Sequence, residues 1–248
     1  MHSLTIVVPV YNEERRLPGS LDRLVAYIDS RSFEFIELLI VDDGSRDGTA
    51  ALVEDLVRRD PRVRLVKNPG NCGKGYAVRH GFNEARGVWV LFTDADLSTP
   101  IEELQKLWDA TTRTGARIAI GSRALDRSLV GVHQPWQREF AGRLFNLMMR
   151  IVTRLPFHDT QCGFKLFEAQ AARDIASRQL LDGFGFDVEL LFLARKLGIH
   201  AVEVPVRWDD VEGTKVSTFR GLAAFLEPFQ IRWNQLTGRY RFTKTSRS

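Results

Sequence analysis

The stretch "VWVLFTDADLSTP", residues 88–100, decides how the rest of the chain is read. Six apolar or β-forming residues run without a charge and then stop at two acids, Asp94 and Asp96, one residue apart. An uninterrupted apolar run of this length reads as a buried strand. Acids at its end read as the start of a loop, where both carboxylates can reach one cation. Hard oxygen ligands of this kind suit Mg²⁺ or Mn²⁺, which keep water and also bind phosphate oxygens. The bland alternative is a helix N-cap followed by a solvated acid.

Working outward, the same unit recurs. "LTIVVPV" (4–10), "FIELLIVDD" (35–43), "VRLVKN" (63–68) and "ARIAIGSR" (116–123) read as further strands. Between them, residues 19–30, 47–59, 73–85 and 100–114 carry apolar positions at helical spacing. Strand–helix alternation with nearly all-apolar strands predicts an α/β architecture, a mostly parallel sheet flanked by helices on both faces. Ligands bind such sheets beyond the carboxyl ends of the strands. The polar signatures sit at that edge: Tyr11-Asn12-Glu13, Asp42-Asp43, Asp94-x-Asp96 and Arg123 each follow a strand. Four strand ends are therefore expected to converge on one crevice lined mainly by acids.

Asp42-Asp43-Gly44-Ser45 offers a carboxylate for a base N–H or a ribose hydroxyl, or else a turn capping the helix after Asp47. "GNCGKGYA" (70–77) resembles a phosphate loop but matches neither the Walker spacing nor G-x-G-x-x-G. Lys74 within it either reaches a phosphate or is a solvated lysine at a helix start.

The 248 residues include 44% hydrophobic and 27% charged residues, ordinary for a globular chain, and the formal net charge is +4. That mild excess of base favours an anionic partner without choosing one. The basic residues are dispersed, with no aromatic–basic stacking platform, so nucleic acid is not expected as a partner. Two distant cysteines, Cys72 and Cys162, give neither a disulfide framework nor a zinc spacing. The N-terminus turns polar after one strand-length run and is not read as a signal peptide. No segment reaches the roughly 18–20 apolar residues of a membrane span. A cytoplasmic protein is expected, either free or peripheral on a membrane surface.

The second half is less regular. Residues 136–155 and 217–238 read as amphipathic helices, the latter with a bend at Pro228; 163–167 and 199–208 read as strands, and 186–198 as a helix. Arg143, Arg150 and Arg154 share a helix face beside Phe140, Leu144, Leu147, Met148, Ile151 and Leu155. In the last helix Phe219, Leu222, Leu226, Phe229, Trp233 and Leu236 repeat at steps of three and four, flanked by Arg220, Arg232 and Arg239. Such helices either pack on a core or lie in a bilayer interface. His158 beside Asp159 reads as structural.

Taken together, "VVPVYNEE", "VDDGSRDGT", "NCGKGYAVRHG", "FTDADLSTP" and "GSR", in this order, resemble a family 2 glycosyltransferase with the GT-A fold. "DTQCGFKLF", "FDVELLFLARKLG" and "VRWDDVEGTKVS" narrow the resemblance to the polyprenyl-phosphate branch, similar to dolichyl-phosphate β-glucosyltransferases and more distantly to mannose synthases. The resemblance implies one domain over 1–239, with a nucleotide-sugar-binding half (4–123), an acceptor and membrane-facing half (124–239) and a basic tail (240–248). It implies that Pro9, Tyr11 and Glu13 line the nucleotide pocket and that Asp43, with Asp42 behind it, holds the base or ribose. Lys74 and the Ala95 backbone complete the donor side. Asp94 and Asp96 would bind the divalent ion on the diphosphate. Arg123 would face the acceptor phosphate, with Arg138 and Lys215 as further acceptor cations and Gln161 and Asp187 shaping the acceptor side.

The implied reaction is metal-dependent, inverting transfer of glucose from UDP-glucose to a polyprenyl phosphate, on the cytoplasmic face of a membrane reached through the amphipathic helices. A phosphate monoester, with a second pKa of about 6, is already ionised and needs no general base. It needs cations to approach the donor, and guanidinium grips phosphate bidentately. Mannose synthases usually carry Gln two residues after the second acid; Ser98 stands here, which tilts against GDP-mannose. Three other readings stay open: mannose transfer from GDP-mannose, transfer to a glycan hydroxyl with Asp187 or Glu189 as base, and a nucleotide-sugar-binding protein without turnover.

Overall fold

The computed structural model describes residues 3–132, 147–210 and 227–240. The strands are β1 (Ser3–Val10), β2 (Phe35–Asp42), β3 (Val63–Lys67), β4 (Trp89–Thr93), β5 (Ile118–Ser122), β6 (Val130–Val132), β7 (Phe164–Glu168), β8 (Ala201–Pro205) and β9 (Trp208–Asp209). The helices are α1 (Leu17–Asp29), α2 (Thr49–Arg59), α3 (Lys74–Glu84), α4 (Leu104–Thr114), α5 (147–153), α6 (Ala169–Ala176), α7 (Phe186–Lys196) and α8 (Glu227–Leu236).

Seven strands form one sheet in the order β3-β2-β1-β4-β7-β5-β8, and β6 pairs with β9 apart from it. The pairs β1–β2, β1–β4, β2–β3 and β5–β8 are parallel; β7 runs antiparallel to both its neighbours. The parallel part follows from the strand–helix alternation. The antiparallel insertion of β7, and the short α6 after it, were not legible in that alternation. Strands from 164–168 and 201–205 thus lie in the same sheet as the first strand.

Alternation along each strand loads both faces. Ile6 and Val8 of β1 pack with Leu38, Ile40, Leu91, Leu107 and Trp108 on one side; Val7 packs with Val41, Phe82, Phe92, Ile120 and Phe186 on the other. Each fully buried side chain of this size contributes roughly 1.5–3 kcal/mol, so both layers hold the sheet between its helices. Helix α4 begins beyond Pro100 and stops at Gly115, whose φ of 67° provides the left-handed cap.

The expected helices 136–155 and 217–238 lie partly outside the described residues, as do Phe140, Arg143, Leu144, Phe219, Arg220, Leu222 and Leu226. Among the described residues no helix is long and apolar enough to cross a membrane. On α8, Pro228, Ile231 and Asn234 are buried, while Phe229, Trp233 and Leu236 are 53%, 65% and 82% exposed. The described members of the apolar stripe read from the sequence, Phe229, Trp233 and Leu236, therefore face outward.

Candidate active site

Each parallel strand of the first half ends in a loop that another loop clasps. After β1, the chain turns at Asn12, whose φ of 54° is one an Asn tolerates. The Asn12 backbone N–H donates to Ser45 Oγ (2.9 Å), the Arg46 N–H to Asn12 Oδ1 (2.8 Å), and the Glu13 N–H to Thr49 Oγ1 (2.8 Å). These bonds fix the loop after β1 to the loop after β2 and turn Tyr11 and Glu13 toward the cleft.

At the end of β2 the two acids divide their work. Asp42 is buried, and its Oδ1 accepts the Ser45 N–H (3.1 Å), which closes the turn. Asp43 accepts from Asn68 Nδ2 (2.7 Å), the Cys72 N–H (3.0 Å) and the Gly73 N–H (2.8 Å). Three of a carboxylate's roughly four acceptor positions are thus occupied by the 68–73 segment. Gly73 has φ 104°, and a Cβ there would stand 2.3 Å from the Asp182 carbonyl. The glycine-rich loop is needed for that close approach to the 182–185 segment.

Beyond β4, the Asp94 N–H donates to the Gly163 carbonyl (3.1 Å), so the strand end stays tied to β7. The next turn passes through Leu97 at φ 49°, a conformation that costs a branched side chain about 1–2 kcal/mol. Burial of Leu97 holds it there. Ser98 N–H donates to Asp96 Oδ1 (3.0 Å). Lys74 Nζ lies 2.7 Å from Asp94 Oδ1, yet among the described residues that buried oxygen has no hydrogen bond of good geometry. Asp94 also rests against Gly163: a Cβ at 163 would stand 2.0 Å from Asp94 Oδ2. Burial first, and then the Asp94 charge, raise the Asp96 carboxyl above its ordinary range. Burial works against the Lys74 charge, but Asp94 and Asp187 more than compensate and raise its pKa.

Two neighbouring carboxylates that repel each other, one with an under-used buried oxygen, are a fit donor set for Mg²⁺ or Mn²⁺. Among the described residues no cluster of three His, Cys, Asp or Glu stands ready for a metal. Ligands beyond Asp94 and Asp96 would come from water and phosphate, as is usual for Mg²⁺.

Past β5 the geometry is different. Arg123 Nε and Nη2 donate to the two oxygens of Asp159 (2.6 and 2.9 Å), and the Arg123 N–H adds a third bond (3.1 Å). Its guanidinium lies 5.4 Å from the Trp208 ring centroid. Burial alone would push Asp159 up, but the Arg123 charge and hydrogen bonds hold it down at about 2. Asp159 Oδ1 also accepts the Gln161 N–H (3.1 Å). Beside it, Asp187 at the start of α7 pairs closely with Lys165, which is fully buried and also donates to the Cys162 carbonyl (2.6 Å). Burial raises the Asp187 carboxyl, with Lys165 and Lys74 pulling the other way. His158 binds Glu203 through its backbone and ring nitrogens.

One cleft of about 620 Å³ opens at these strand ends. Pro9, Tyr11, Glu13, Asp43, Lys74, Asp94, Ala95, Asp96, Gln161 and Asp187 all line it. Asp42 and Arg123 are not in its wall: Asp42 serves the turn, and Arg123 spends its fork on Asp159. Arg138 and Lys215 lie outside the described residues. Sequence reasoning missed Lys165, Asp159 and Glu227, the last of which also lines the cleft. Lys165 did leave a signal, since a lysine inside the apolar run "GFKLF" requires a buried partner.

The defining pattern of glycosyl transferase family 2 matches residues 5–176. A dolichyl-phosphate beta-glucosyltransferase of Trichomonas vaginalis is 37% identical over 86% of this chain and 65% of its own length. That of Dictyostelium discoideum is 34% identical over 95% of this chain and 75% of its own. The chain thus spans about two thirds to three quarters of these relatives. Among solved structures, Mycobacterium tuberculosis glucosyl-3-phosphoglycerate synthase with Mn²⁺, uridine diphosphate and glucosyl-3-phosphoglycerate superposes with a TM-score of 0.64, at 19% identity, over 98% of this chain and 82% of the other. That likeness shows the GT-A fold. With the family pattern covering most of the chain, and relatives above 30% identity along nearly all of it, this protein belongs to glycosyltransferase family 2 and is a glycosyltransferase similar to the dolichyl-phosphate β-glucosyltransferases.

Proposed function

We propose that this enzyme transfers glucose from UDP-glucose to a polyprenyl phosphate of the dolichyl type, with Mg²⁺ or Mn²⁺ held by Asp94 and Asp96. The observation that carries this reading is the pair of acids lining one cleft together with residues of the loops after β1 and β2 and with Gln161 and Asp187. Dolichyl-phosphate β-glucosyltransferases are the relatives, which supports the sugar and the acceptor. A divalent ion at this place supplies Lewis-acid stabilisation of the departing diphosphate.

The chain's own residues do the rest. Pro9, Tyr11, Glu13 and Asp43 bind the nucleotide, and Asp43 has one acceptor position left for a ribose hydroxyl or base N–H. The Ala95 backbone lies against the diphosphate. Gln161 and Asp187 border the reacting sugar on the acceptor side. Arg123 acts there through Asp159, bracing Gln161, and the acceptor phosphate is met by cations that include Arg138 and Lys215. Pairing of Asp187 with buried Lys165 ties up the base a hydroxyl acceptor would need, which supports a phosphate acceptor. In-line attack by the phosphate inverts the anomeric centre. The outward apolar residues of α8, with Leu147 and Ile151 of α5, rest on the membrane that holds the lipid. The proposed place of action is the cytoplasmic face of that membrane.

The test is direct. The purified chain is incubated with UDP-glucose, polyprenyl phosphate in vesicles and Mn²⁺, and the lipid phase is extracted. Glucose in that phase is expected, and a chelator abolishes it. No lipid-linked sugar from any of several nucleotide sugars would overturn the proposal.

A further inference from the structure

The metal reading leaves one contact unexplained. Lys74 is the first residue of α3, where the helix dipole disfavours a cation. Its ammonium lies over two aromatic rings, with Nζ 5.5 Å from the Phe92 centroid and 5.9 Å from that of Phe186. Its ammonium ends 2.7 Å from Asp94 Oδ1, one of the two carboxylates assigned to the divalent ion. Asp187, whose charge also bears on Lys74, already has its own lysine, Lys165, so the direct contact of Lys74 is with the acidic pair. Lys74 therefore sits where a metal ligand's positive partner would sit, in a cleft wall that an anionic donor enters.

We propose that Lys74 is a resident counter-ion of the acidic pair, which stands in for the divalent cation in the donor-free cleft and is drawn off Asp94 by the donor's diphosphate. The proposal rests on the metal reading and adds an order of events to it. An ion arriving alone must displace an ammonium from Asp94 and leave it without an anion at a helix N-terminus. An ion arriving with a diphosphate gives Lys74 a new partner in the same step. Metal and nucleotide then strengthen each other's binding, and by linkage the two effects are equal.

The experiment is a titration of Mn²⁺ into the full chain, with the free ion followed by electron paramagnetic resonance, in the presence and absence of UDP. Lys74→Met keeps an unbranched side chain of similar length and removes the charge; Lys74→Gln is a second neutral variant, and Lys74→Arg keeps the charge. Thermal melts establish that each is folded. Without nucleotide, the two neutral variants bind Mn²⁺ about tenfold more tightly than the wild type, the effect of deleting one competing charge. UDP tightens Mn²⁺ binding by a larger factor in the wild type than in either neutral variant, and Lys74→Arg follows the wild type. Equal Mn²⁺ affinity of the wild type and the neutral variants, with UDP still promoting binding in all, overturns the counter-ion role and leaves the metal site standing. Absence of Mn²⁺ binding in every protein, with UDP present, overturns both.

Discussion

The ends of β4 and β5 lie one strand apart, with β7 between them, and they treat charge in opposite ways. At the end of β4, Asp94 and Asp96 face an open cleft, repel one another and leave a buried oxygen without a proper hydrogen bond among the described residues. At the end of β5, Arg123 and Asp159 hold each other through three bonds, and Asp159 takes a fourth from Gln161. The first arrangement is poor for stability and good for capturing a ligand. The second is a brace. A charge that waits for a substrate is left short of partners, whereas a charge that shapes the site is fully bonded.

The largest expected effect tests the first half of that contrast. Asp96→Ala should lower turnover about a thousandfold, comparable with the loss of a strong electrostatic contact to the reacting groups. Stability should not fall. An acid whose carboxyl is raised in the fold costs stability once pH exceeds that raised value, so its removal at neutral pH is neutral or stabilising. Initial rates and thermal melts read the two quantities separately. A variant that keeps its turnover, or that unfolds, would erase the distinction drawn between the two strand ends.

Arg123→Ala addresses the other half. It leaves Asp159 buried without its cation, and about 3 kcal/mol of stability should be lost, the low end for a broken buried pair because the guanidinium is a third exposed. Urea unfolding measures this. The pH dependence has a definite sign. Asp159 is held at about 2, below the ordinary value near 3.9, so its contribution is present above about pH 4 and disappears as pH falls through about 2. The variant should lack that part of the acid slope. If it instead melts like the wild type while its KM for the lipid phosphate rises steeply, Arg123 touches the acceptor directly and the brace is the wrong description.

The two ends were also unequally legible in the sequence. Asp94 and Asp96 announce themselves because they interrupt an apolar run, and strand–helix alternation then fixes which edge of the sheet they occupy. Arg123 was visible at a strand end for the same reason, but its partner was not. Asp159 approaches it from 36 residues away, across a segment that reaches the sheet through the antiparallel strand β7. No local period encodes that return. Lys165 shows the same limit: its place in an apolar strand calls for a buried anion, yet only the folded chain identifies it as Asp187. The outward face of α8 was ambiguous in principle, since helical spacing gives the stripe but not which part of it meets the core.

That ambiguity leads to the smallest of the expected effects. Ile231 anchors α8 to the core while Trp233 and Phe229 stand out of it, more than half exposed, with Arg232 and Arg239 at their flanks. A solvated apolar face of this kind costs nothing in water that mutation could recover through packing, so Trp233→Ala should leave the melting temperature within a degree or two, as surface substitutions do. On vesicles of anionic phospholipid the same change removes a large ring from the interface, and binding should weaken roughly tenfold, with the double variant Phe229→Ala/Trp233→Ala weaker again. Turnover on polyprenyl phosphate in vesicles should fall in step, and turnover on a short, water-soluble isoprenyl phosphate should not. That divergence between the two acceptors is what separates a docking face from a structural one. A loss of rate shared by both acceptors would mean that α8 acts on the cleft itself, through Glu227 at its first turn, and the outward face would then have no membrane role.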